Sequence, residues 1–166
     1  LASDLSNDLE LDEQVHAVYG VVSRSAGPLQ LQAGLRAEHA NRDFRLGNGE
    51  EFPYTYRSLF PSALISMQLG EKSTAKLSYS RRVRRPGTQE LNPFPVFMDA
   101  QNVFFGNAQL GPEYTDAIEL GLQRSGQLGS LQFSPFYRRT TDIIRVDVNT
   151  ADEVMGREVT SISFRN

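Results

Sequence analysis

Residues 29–40 read LQLQAGLRAEHA. Leu29, Leu31, Ala33, Leu35 and Ala37 fall on odd positions, and Gln30, Gln32, Gly34, Arg36 and Glu38 on even ones. A strand turns successive side chains to opposite faces, so this order makes one apolar face and one wet face. Wound as a helix, the same residues would scatter Leu and Gln over every side. The stretch is therefore a strand, and its neighbours repeat the plan.

Upstream, Gln14–Ser23 carries Val15, Ala17, Tyr19 and Val21 on one face. Arg24-Ser25-Ala26-Gly27-Pro28 links the two strands with ordinary turn residues. Downstream, Leu59, Pro61, Ala63, Ile65, Met67 and Leu69 share a parity, and Gly70–Ser73 turns the chain. Ala75, Leu77 and Tyr79 then oppose Lys76, Ser78 and Ser80. In a third pair, Ile118, Leu120 and Leu122 oppose Ala117, Glu119, Gly121 and Gln123. After a turn at Ser125–Gly129, Leu131, Phe133, Pro135 and Tyr137 oppose Gln132, Ser134 and Arg138. Pro61 and Pro135 remove ladder donors, so each predicts a bulge or local defect.

The expected fold is all-β: an antiparallel up-and-down meander of about six long strands. Short links (24–28, 70–73, 125–129) alternate with long ones (41–55, 83–113). Transmembrane barrels sort their loops this way, with short turns on one rim and long loops on the other. Six strands would form an arc of such a barrel, with the end of the chain, Ile162–Asn166, opening a further strand.

Composition sets looser bounds. The chain has 166 residues, a net charge of −3 and a pI of about 5.4. It has no cysteine, which excludes disulfides and thiolate metal sites. No apolar run approaches the roughly 20 residues of a transmembrane helix. The mean hydropathy of −0.40 does not separate a soluble protein from a membrane barrel, because alternation averages to a soluble-looking value. The acidic start, LASDLSNDLELDE, has no signal-peptide core and does not begin with Met, which suggests an internal cut.

Three stretches carry a resemblance. LDEQVHAVYGVVSRSAGPLQLQAGLRAEHA resembles a strand–turn–strand of the C-terminal barrel of TonB-dependent outer-membrane receptors. SLFPSALISMQLGEKSTAKLSYSRRVRRPGTQELNPF resembles the next hairpin and loop, with its Ser-Arg-Arg, Arg-Pro and Leu-Asn-Pro-Phe wording. GNAQLGPEYTDAIELGLQ resembles a family motif, with Gly106, Asn107, Leu110, Pro112, Glu113, Glu119 and Gly121 in place. The resemblance runs from about Leu9 to Val148. Ala108 stands where the family has proline and Gly111 where it often has lysine, and the chain lacks tryptophan. The resemblance implies that residues 1–166 are a partial barrel domain of a longer receptor, without its plug, TonB-contacting box or remaining strands. It also implies import of a substrate, energy through the TonB complex by way of the missing N-terminal part, and contact with outer-membrane lipid and lipopolysaccharide.

The candidate site residues lie on wet faces and in the long loop. Arg81, Arg82, Arg84 and Arg85 form a cluster within YSRRVRRPGTQELNP. Parity sends Arg81 to the lipid side, where it would snorkel toward lipopolysaccharide phosphates, and Arg82 and Arg84 to the lumen. Arg36, Arg82 and Arg138 share wet faces with Glu38 and Glu119, which predicts a charged ladder in which Arg82 meets Glu119. Substrate contacts are expected at Arg36, Arg82, Arg84, Asn92, Phe94, Asn107 and Arg138, because outer loops are positioned by the scaffold and free to vary. Phe97 and Phe104 are expected to pack the loop on itself.

His16 and His39, the only histidines, are expected on opposite faces with no shared metal. The acidic 140s lack Ca²⁺-loop spacing. No triad, carboxylate pair or phosphate loop stands out, so neither an enzyme nor a cofactor is expected. Two other functions compete. A soluble lipocalin-like barrel would turn the apolar parity inward around a small ligand. A nucleic-acid module would need a broad basic surface, which this acidic chain does not offer.

Overall fold

The computed structural model describes residues 9–47, 49–127, 129–154 and 156–166. Leu128, in the expected third turn, and residues 1–8 lie outside the described residues.

Three strands of 18 residues each open the chain: β1 (Leu9–Ala26), β2 (Leu29–Leu46) and β3 (Glu51–Gln68). Each is about 60 Å long at ~3.3 Å per residue. β4 (Ser73–Arg84) follows, then a segment holding α1 (Thr88–Leu91), β5 (Val96–Phe97) and β6 (Asn102–Phe104). β7 (Glu113–Gly126), β8 (Gly129–Phe133) and β9 (Phe136–Thr141) complete the wall. The wall runs β1-β2-β3-β4-β7-β8, with β9 also on β7, and every pairing is antiparallel. The last hairpin, β10 (Arg145–Val154) and β11 (Arg157–Arg165), joins a second sheet in the order β10-β11-β6-β5.

The meander is as expected and so is the defect at Pro135, with three corrections. The link 41–55 is not a long loop: β2 and β3 stay paired from Leu29↔Met67 up to Arg45↔Glu51. Pro61 sits inside β3 opposite Leu35 without breaking that ladder. Pro135 does break its strand, since β8 stops at Phe133 and β9 begins at Phe136. The chain end is a strand, but β11 runs parallel to β6 of the long loop and so does not extend the wall.

The register defines two faces. On one, Leu31, Ala33, Leu35 and Ala37 align with Ile65, Ala63, Pro61 and Leu59. Leu77 and Tyr79 continue the row from Ile65 and Ala63, and Leu120 and Ile118 extend it. From β1 this face receives Val18, Gly20 and Val22, so Val15, Ala17, Tyr19 and Val21 lie on the opposite, polar-parity face. The apolar face is bare: Val22 and Leu131 are each 74% exposed, and Leu35, Leu59, Ile118 and Tyr137 are exposed with them.

Above this belt the apolar parity inverts. In β2 the odd positions become His39, Asn41, Asp43 and Arg45, while Ala40, Arg42, Phe44 and Leu46 on the even face are buried. β3 inverts at the same height, with Phe52, Tyr54, Tyr56 and Phe60 on the even face. The core lies there, as Phe44, Leu46, Leu91, Ala108 and Leu110, with Leu9, Leu11, Phe52, Phe94, Ile144 and Phe164 packed around it. The cover is the segment 85–112, expected to be an exposed loop but folded onto the even face.

That cover is held by specific bonds. Arg42 Nη2 donates to the carbonyl oxygens of Ala108 (3.1 Å) and Leu110 (2.9 Å). The Gly106 N–H donates to the Asn92 carbonyl and the Asn107 N–H to the Glu90 carbonyl, at 2.5 and 2.7 Å. A Cβ at Gly106 would collide with the Glu90 carbonyl and the Asn92 nitrogen, so only glycine fits. Phe104 meets Phe164 edge-on at 5.3 Å, which ties the segment to β11.

Candidate functional site in the lumenal wall

The even face carries two groups of charged side chains, one locked and one open. The locked group centres on Glu38, whose side chain is only 5% exposed. Arg36 Nε lies 2.6 Å from it and Arg85 Nη2 2.5 Å. Arg85 also reaches Glu13 (3.3 Å) and donates to the Tyr56 hydroxyl (2.7 Å). A buried carboxylate needs this compensation, because removing it from water is costly. The arrangement joins β1, β2 and β3 to the first residue after β4.

The open group lies in a hollow of about 340 Å³ over β4, β7 and β9. Arg82, Arg84, Glu119 and Arg138 line it, with hydroxyls from Ser78, Ser80 and Thr115. Arg84 is neutralised by Glu90 (2.6 Å) and Glu113 (3.3 Å). Among the described residues, Arg82 and Arg138 have no carboxylate within ion-pair distance. The Arg138 guanidinium instead stacks 4.8 Å from the Phe136 ring centroid. Two unpaired guanidiniums beside hydroxyl donors attract an oxyanion.

The other expected site residues are placed differently. Arg82 faces Thr115 across the ladder and Glu119 faces Ser78. They share a face and a hollow but lie ~13 Å apart along the strand, and the cross-strand pair that forms is Arg84–Glu113. Arg36 binds Glu38 on its own strand. Asn92 and Asn107 serve the loop: the Asn92 side chain accepts the Phe94 N–H, and Asn107 accepts the Gln109 N–H and donates to the Phe164 carbonyl. Phe94 packs on the core.

Arg81 does not reach the lipid side. The β3–β4 ladder ends at Ser62↔Ser80, whereas β4–β7 continues to Arg84↔Glu113. The tops of β4 and β7 thus leave the wall and cross the even face of β3, where the Tyr114 and Ser58 hydroxyls share a 2.5 Å hydrogen bond. Arg81 stacks 5.0 Å over Tyr114 and lies 4.0 Å from Asp116. The histidines also differ from expectation: His16 and His39 are direct cross-strand partners on one face. Opposite faces followed from reading β1 and β2 separately, whereas their register aligns the two. Among the described residues no metal-binding group of three or more such side chains includes them.

Sequence reading missed the importance of Arg85, Arg42 and Tyr56. Arg42 and Arg85 lie in the two stretches taken for loops, 41–55 and 83–113, and Tyr56 directly follows the first. The available signal was the even-position run Phe44, Leu46, Phe52, Tyr54 and Tyr56, an alternation in the opposite phase.

A soluble ligand-binding barrel would turn the Leu29–Ala37 parity into its core; here it is exposed. The bare belt is nine residues tall in β2, from Leu29 to Ala37, enough for a tilted strand to cross a bilayer. An exposed apolar belt, a charged opposite face and a long connection at one rim, between β4 and β7, fit the wall of a membrane-spanning β-barrel. A family model described as "Outer membrane protein beta-barrel family" matches residues 1–166, and the chain belongs to that family. It is a protein of the bacterial outer membrane. No curated protein matches the chain.

Proposed function

We propose that the chain forms part of the wall of a TonB-dependent receptor, which binds a substrate from outside and imports it. Energy comes from the inner membrane through the TonB complex, contacted by residues outside this chain. The observation that carries the reading is the lumenal hollow with Arg82 and Arg138 unpaired, lying beside a segment folded inward over the even face. The resemblance adds to it. Gly106 and Asn107 of the family-like motif form the knot that holds 85–112 in place. In this reading Arg82 and Arg138 contact substrate, Arg84 is fixed by its two carboxylates, and Arg36, Asn92, Phe94 and Asn107 shape the surroundings. The protein is not an enzyme.

The test uses the intact protein. In-cell cross-linking is expected to capture the inner-membrane coupling complex, and planar bilayers are expected to show a plugged lumen with no steady conductance. An open, porin-like channel with no captured complex would overturn the reading.

A further inference from the structure

The lumenal hollow over β4, β7 and β9 has a floor and a surround of different chemistry. It spans three successive rungs of the sheet: Arg82↔Thr115↔Thr140, Ser80↔Ala117↔Arg138 and Ser78↔Glu119↔Phe136. Thr115, Ser80, Ala117 and Ser78 are half-buried and form the floor, whereas Arg82, Arg138, Glu119 and Phe136 stand exposed around it. The floor is small and hydroxylated. The Thr115 and Thr140 hydroxyls bond each other at 3.0 Å, while those of Ser78 and Ser80 have no side-chain partner among the described residues.

Charge and spacing together define the ligand. Arg84 is already neutralised, so Arg82 and Arg138 set against Glu119 leave the hollow one positive charge. One carboxylate balances that charge, whereas a phosphate monoester carries nearly two. Arg82 and Arg138 stand two strands and one rung apart, about 12 Å between their backbones, a gap that two long guanidinium side chains close around one carboxylate. Glu119 lies two rungs below Arg82. An ionised carboxylate only accepts hydrogen bonds, so Glu119 takes hydroxyl donors at the far end of the ligand. Phe136 offers a ring in the same rung and is 64% exposed. A peptide strand would bind through backbone groups, but the backbone under the hollow is engaged in the β4–β7 and β7–β9 ladders, so recognition falls to side chains. We propose that the hollow binds an acidic disaccharide. Its carboxylate sits between Arg82 and Arg138, its hydroxyls meet Ser78, Ser80 and Glu119, and one sugar face lies on Phe136. This names the substrate class of the lumenal site and so rests on the receptor reading, but its test needs no energy coupling.

The experiment titrates the intact protein in detergent, by calorimetry, with a disaccharide of one uronic acid and one neutral hexose. The comparison probes are its uncharged methyl ester and a short peptide of net charge −1. Wild type should bind the acidic disaccharide about tenfold more tightly than either. Arg82→Gln and Arg138→Gln should each weaken that binding about tenfold, and Phe136→Ala about threefold. Should Arg138→Gln fail to fold, Arg138→Lys keeps the charge, loses the planar fork and should also weaken binding. Equal affinity for the ester or the peptide would overturn the proposal, as would unchanged affinity in both arginine variants. Capture of the inner-membrane complex without disaccharide binding would overturn the sugar class and leave the receptor reading standing. Disaccharide binding by an open, uncoupled channel would support the sugar class and overturn the receptor reading.

Discussion

Arg85 is the residue on which the upper wall turns. It follows β4 directly, yet its guanidinium reaches Glu38, Glu13 and Tyr56 on three other strands. The Arg85→Gln variant would leave the Glu38 carboxylate with Arg36 alone, in a place closed to water. Breaking a largely buried pair from one side costs about 3–5 kcal/mol, less here because Arg85 keeps some exposure. The expected loss is about 2 kcal/mol, read as a lower urea midpoint for the intact protein in detergent. Glu38→Gln with Arg85→Gln should recover part of it, whereas additive losses would argue against the pair. The neighbouring arginines differ in the same local way. Arg81 is stacked, Arg84 is doubly paired and Arg82 is open, so a run that looks uniform in sequence has four separate environments.

Two predictions belong to the elements. The first concerns β2. Single cysteines from Leu31 to Ala37, labelled with a fluorophore in vesicles, should be quenched by lipid-borne quenchers at odd positions only. From Asn41 to Arg45 odd-position labels should instead be quenched by aqueous iodide, because the same face has left the bilayer. Quenching without a period of two would contradict the register. The second concerns α1. Burial alone would raise the Glu90 carboxyl, but the Gly87 N–H and the Arg84 guanidinium outweigh it and hold it below the ordinary glutamate value. The clamp is therefore complete above the ordinary value, about 4.3, and weakens as pH falls through the lower folded value. Proteolysis near α1 should rise below about pH 4, and Glu90→Gln should already show that rise at neutral pH. A flat pH profile for both proteins would rule out the clamp.

At the scale of the molecule, the even-face core decides whether 85–112 is a docked cover or a free loop. The covered span should resist protease on intact cells. Arg42→Gln removes both anchors to Ala108 and Leu110 and leaves two buried carbonyls without a donor, at about 1–3 kcal/mol. Cleavage within 85–112 should then appear while the rest of the wall stays intact, and an unchanged pattern would mean the segment is held by other contacts. The lower wall was legible from sequence because its two sides meet different solvents. Lipid outside and a wet lumen inside impose one phase of alternation over Leu29–Ala37, and turn residues mark the ends. The upper wall was not legible as strand. Past the bilayer the outside is water and the inside is covered by protein, so the apolar residues change parity. Asn41, Arg42, Asp43 and Arg45 then read as a loop.

The sequence by itself determined the strands of the belt, their antiparallel order and the split between apolar and wet faces, because these follow from local alternation and short turns. Tertiary structure decided the rest: the pairing of His16 with His39, the separate fates of the four arginines, and the inward fold of 85–112 onto Phe44 and Leu46. Each of these depends on register between distant segments, and a shift of one residue would exchange the faces. That choice is made by burying the upper core and compensating Glu38 and Arg42 together, which no single segment encodes.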